Sequence, residues 1–84
     1  MGETTSRKTL RRIVQIVQAD EAVVKVKKHF SMYMAPEEVL LQLVMVFKQN
    51  LTTAEITNAI ERISKLIQQE FPRIKQIFIE PVAK

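Results

Sequence analysis

Residues 39–47, Val39-Leu40-Leu41-Gln42-Leu43-Val44-Met45-Val46-Phe47, constrain this chain more than any other stretch. Gln42 is the only polar side chain in the run, and a membrane-spanning helix would need about 18 or more apolar residues. A run this short that is apolar at odd and even positions alike reads as a central strand covered on both faces. Alternation sends Leu40, Val44 and Val46 to one face and Leu41, Leu43, Met45 and Phe47 to the other. Any fold that accommodates the run must therefore supply two covers.

The rest of the chain supplies one of them. In residues 6–19, Leu10, Ile13, Val14 and Val17 recur at helical spacing among Arg11, Arg12, Gln15 and Gln18, with Thr5 or Ser6 as cap. After Asp20-Glu21, the residues Val24, Val26, Phe30, Met32 and Met34 alternate with Lys25, Lys27, His29, Ser31 and Tyr33, and Lys28 interrupts the apolar side. This predicts an edge strand with one wet face. Ala35-Pro36-Glu37-Glu38 predicts the hairpin turn into the central strand. Thr52-Thr53-Ala54-Glu55 has the spacing of a capping box. Beyond it, Ile56, Ala59, Ile60, Ile63, Leu66, Ile67 and Phe71 draw one apolar stripe that Pro72 ends. Residues 74–80, with Ile77, Phe78 and Ile79, form a closing strand before Pro81.

A helix between the central and closing strands makes those strands parallel neighbours through a right-handed crossover. The predicted fold is α+β: a single domain over residues 1–84, ferredoxin-like but lacking the first strand, ordered αββαβ, with a three-stranded mixed sheet and two helices on one face. The other face is left apolar and open, which calls for a partner. A twofold homodimer built on Leu40, Val44 and Val46, with Phe78 of the closing strand, is the expected cover.

Chemistry is sparse. His29 is the only histidine, there is no cysteine, and Gly2 is the sole glycine, so hydrolytic triads, disulfides, thiolate metal sites and glycine-rich phosphate loops are excluded. Glu37-Glu38 reads as an exposed turn, and no enzymatic activity is expected. His29, paired with its symmetry mate or with Glu80, is the candidate for a weak divalent cation, Zn2+ or Mn2+. Met32, Met34 and Met45 read as packing. The net charge of +4 gathers in Arg7, Lys8, Arg11 and Arg12 at the start of the first helix and in Lys25, Lys27 and Lys28. Four cations there oppose the positive end of the helix dipole, so an anionic neighbour would relieve them. The aliphatic central strand lacks the stacking aromatics of RNA-reading sheets, which argues against nucleic acid. Met1 to Ser6 contain no apolar stretch of the secretory kind.

From Ile13-Val14 through Asp20, Val23-Val24-Lys25-Val26 and Ser31-Met32-Tyr33-Met34-Ala35-Pro36-Glu37-Glu38-Val39-Leu40-Leu41, the chain resembles the cytoplasmic C-terminal domain of bacterial cation diffusion facilitator transporters. Leu51-Thr52-Thr53-Ala54-Glu55-Ile56, Glu70-Phe71-Pro72 and Ile77-Phe78-Ile79-Glu80-Pro81 continue the likeness. No single motif is diagnostic; their order and spacing carry it.

The resemblance implies a cytosolic homodimerisation and regulatory domain of a proton-coupled divalent-cation exporter of the zinc, iron or manganese type. Such a domain would be excised here from its transmembrane part and soluble by itself. It also implies a place on the cytoplasmic side of the cell membrane, with Arg7, Lys8, Arg11 and Arg12 near anionic inner-leaflet lipid. Where many relatives carry cytoplasmic metal-binding histidines, the aligned positions here hold Lys28, Val44 and Phe78, so the usual metal site is expected to be missing. The alternative is a freestanding small-molecule-binding regulatory domain of related topology, though the glycine-bearing ligand loop common in such domains is lacking.

Overall fold

The computed structural model describes residues 6–82. Its elements are α1 (Arg7–Gln18), β1 (Val23–Ala35), β2 (Glu38–Phe47), α2 (Thr53–Glu70) and β3 (Ile74–Val82). The sheet order is β1-β2-β3, with β2 antiparallel to β1 and parallel to β3. This is the predicted αββαβ arrangement.

Ser6 caps α1, its hydroxyl accepting from the Thr9 N–H at 3.1 Å. The other candidate cap, Thr5, lies outside the described residues. The capping box of α2 is complete: Thr52 Oγ1 accepts from the Glu55 N–H at 3.1 Å, and Glu55 Oε1 accepts from the Thr52 N–H at 2.8 Å. The helices bury Ile13, Ile16 and Val17 of α1 and Ala59, Ile63 and Ile67 of α2. These pack on Val39, Leu41, Leu43, Met45 and Phe47 of β2, so one continuous core lies between helices and sheet. β3 continues through Pro81 to Val82, past its expected end. Proline is tolerated there because β3 is an edge strand and Pro81 needs no partner on its outer side.

The hairpin between β1 and β2 pairs Ala35 with Glu38, leaving Pro36 and Glu37 at the corners. Glu37 has φ 72°, the left-handed conformation of the second corner of a type II turn, with proline at the first. Glycine would fill that position with less strain.

β1 departs from simple alternation. Its register against β2 shifts between Val23 and Lys25, between Val26 and Lys28, and beside the hairpin between Tyr33 and Ala35, so Val24, Lys27 and Met34 are extra residues. Each such bulge reverses the faces of everything beyond it. Val26 therefore sits opposite Met45 on the helix side, whereas Phe30 and Met32 sit opposite Gln42 and Leu40 on the open side. Val26 and Phe30, which alternation places together, lie on opposite faces. His29, Ser31 and Tyr33 fall on the helix side.

Candidate functional site

Residues paired across adjacent strands share a face, so the ladder builds the open face row by row. The rows, each read from β1 through β2 to β3, are Met32–Leu40–Gln76, Phe30–Gln42–Phe78, Lys28–Val44–Glu80 and Lys25–Val46–Val82. Phe30 remains 55% exposed and Phe78 54% exposed. Met32 is also exposed, and Leu40 and Val44 are half-buried. A phenylalanine pair flanking one glutamine, beside aliphatic side chains, forms an apolar patch with charges at one end.

The residues predicted for this surface do not contribute equally. Leu40, Val44 and Phe78 present area to solvent on the open face. Val46 occupies the same face but is only 4% exposed in the single chain, between Lys25 and Val82, and has little area left to give. Phe30 and Met32 belong to the patch and were not singled out from sequence. Their alternation was visible, but the bulges that turn it outward were not.

The candidate metal ligands are separated. His29 pairs with Leu43 on the helix side, where it borders a groove with Arg7, Leu10 and Arg11 of α1. Glu80 pairs with Val44 on the open side of the other edge strand. One chain therefore cannot bring both to one ion. Among the described residues, no three His, Cys, Asp or Glu side chains converge as a metal cluster. At Lys28, Val44 and Phe78 a dication would meet an ammonium, an isopropyl and a phenyl group. None of these donates a lone pair at neutral pH, so the donor set does not fit.

Two charge clasps tie the helices down. Arg12 donates to both carboxylate oxygens of Glu70, at 2.8 and 3.1 Å, joining the first helix to the end of the second. The hydrogen bonds from Arg12 hold the Glu70 carboxyl below its ordinary pKa and raise that of the guanidinium. Arg62 of α2 grips Asp20 at 2.7 and 2.9 Å, and Asp20 also accepts from the Ala22 N–H at 3.0 Å. The Asp20 side chain is 6% exposed. The hydrogen bonds from Arg62 lower its pKa, working against burial, which raises it.

The four cations of α1 are all exposed. Arg12 is committed to Glu70, whereas Arg7, Lys8 and Arg11 make no ion pair among the described residues. No helix among those residues is long and apolar enough to cross a membrane.

No family model matches the sequence, and no curated protein matches it significantly. Solved structures do. A MamM CTD superposes with a TM-score of 0.83 at 14% identity, covering 95% of this chain and 99% of that one. The nickel form of a MamM CTD variant gives 0.82 over 94% of this chain and 99% of its own, again at 14% identity. A cadmium form gives 0.81 at 14% identity over 93% and 96%. MamM CTDs are cytoplasmic C-terminal domains of a cation diffusion facilitator transporter, the class of domain that the sequence resembles. At this identity the likeness establishes the fold, the ferredoxin-like αββαβ domain.

Proposed function

We propose that this chain is the cytosolic homodimerisation and regulatory domain of a divalent-cation efflux transporter of the cation diffusion facilitator family. It would work on the cytoplasmic side of the membrane, attached to that transporter's transmembrane part, with no catalytic role of its own. The observation that carries the reading is the open sheet face. Phe30, Met32 and Phe78 stay exposed beside half-buried Leu40 and Val44, on a fold that matches such domains over nearly its whole length. A contiguous apolar face of this kind is a docking surface, and in a symmetric assembly the default partner is a second copy.

In this arrangement Arg7, Lys8 and Arg11 face the anionic inner leaflet, each contributing about 1 kcal/mol of attraction. The MamM CTDs include nickel, copper and cadmium forms. For this chain the poor donor set favours a clamp over a metal-operated switch, with any Zn2+ or Mn2+ bound weakly through His29 or Glu80. Sedimentation velocity over a range of protein concentrations tests the clamp: a dimer is expected at micromolar concentration, and a monomer at every concentration overturns it.

A further inference from the structure

Apart from Glu38 at the hairpin end of β2, the open face carries its charges on opposite edges: Lys25 and Lys28 on β1, Glu80 on β3. Lys28 and Glu80 occupy one row with Val44 between them, two strand spacings or about 9.6 Å apart. They form no ion pair with each other within the chain. The next row repeats the pattern with aromatic groups, Phe30 on β1 and Phe78 on β3 about Gln42. In the Lys28–Glu80 row each edge holds the charge that the other lacks, and in the Phe30–Phe78 row both edges hold a ring.

Consider two such faces brought together about a twofold axis. If the axis runs parallel to β2, β1 of one copy lies over β3 of the other and the rows stay level. Lys28 then meets Glu80 of the second copy, Phe30 meets Phe78 of the second copy, and Val44 meets itself. Facing sheets sit about 10 Å apart, a gap that a lysine and a glutamate side chain span together. If the axis instead runs across the strands through the Val44 row, Lys28 meets Lys28 and Glu80 meets Glu80. Like charges so placed oppose association.

We propose that the open face is self-complementary about a twofold axis parallel to β2, with Lys28 of each copy paired to Glu80 of the other and Phe30 packed against Phe78 of the other. The inference rests on the dimeric reading above and deepens it, because the partner surface and its orientation follow from this chain's own rows. The two ion pairs fix the register, and the aromatic pairs and aliphatic centre supply most of the buried apolar area.

Reciprocal charge reversal tests it. Lys28→Glu and Glu80→Lys are each measured alone, together in one chain, and as an equimolar mixture of the two single variants. The assay is sedimentation velocity at about 0.1 M salt, where contacts within about 10 Å are still felt. Both sites are exposed, so circular dichroism should show each variant folded. Each single variant places two like-charge contacts in its dimer and should weaken association by about tenfold or more. The mixture restores opposite charges in both contacts of the heterodimer, and so does the double variant, so both should return to within about threefold of wild type. A dimeric wild type whose single variants associate unchanged overturns this geometry and leaves the dimeric reading standing. Weakened single variants that the mixture fails to rescue overturn it as well. A wild type that never dimerises removes both.

Discussion

Replacing Phe78 with alanine separates association from folding. Phe78 is 54% exposed. A phenylalanine has on the order of 200 Å² to bury, so roughly 100 Å² per copy remains for a partner to cover. At about 25 cal/mol per Å² this is about 2.5 kcal/mol per copy and about 5 kcal/mol per dimer. Such area figures are upper limits, because coverage is incomplete and alanine still buries its own methyl group. Half the total, about 2.5 kcal/mol, raises the dissociation constant by roughly 50-fold. The folded monomer should lose little, because the outward-facing ring is absent from the helix-side core. Sedimentation equilibrium reads the first effect and urea denaturation at low protein concentration the second. A dissociation constant that moves less than about threefold, in a protein whose wild type dimerises, would refute the reasoning.

The core and the turns yield three further predictions. Ile63 is fully buried at the middle of α2, so Ile63→Ala should cost about 3 kcal/mol in denaturant titration, and a loss under about 1 kcal/mol would mean the helix packs loosely. Asp20 has a folded pKa below its ordinary value of 3.8, so the unfolded chain takes up its proton first as pH falls. Its contribution to stability is full above about pH 4 and is lost as pH drops through the depressed folded value; Asp20→Asn should flatten that limb of the stability profile. Glu37→Gly, at φ 72°, should raise the midpoint of thermal unfolding, gaining about 0.5–1 kcal/mol from a residue that adopts this backbone freely, and an unchanged or lower midpoint would contradict it.

The elements legible in the sequence were those whose signal is local. The stripe from Ile56 to Phe71 and the Thr52/Glu55 box fix α2 within one window of chain, and the two-faced run of β2 announces a central strand. The bulges of β1 were not legible, because Val24-Lys25-Val26-Lys27 alternates without fault and the extra residues exist only relative to the register of β2. His29 consequently reads as the wet side of a half-buried strand but lies beside α1, across the sheet from Glu80. The two clasps were hidden for a different reason. Asp20 and Arg62 are 42 residues apart, Arg12 and Glu70 are 58, and nothing in either neighbourhood marks them as partners. At the candidate surface, Leu40 and Val44 followed from β2 alone. Phe30 and Met32 required knowledge of how β1 is threaded.

The bulges free the chemistry of β1 from its length. Because the ladder and not the count of residues sets each face, losing Lys27 alone would leave Val26 opposite Met45 and Lys28 opposite Val44, with Phe30 and Met32 still on the open side and His29 still beside the helices. Homologues that gain or lose a single residue at such a bulge would therefore display the same face to a partner and share one interior. Sequence comparisons across this strand should be anchored on β2 and carried outward through its ladder, not counted along β1 from its start.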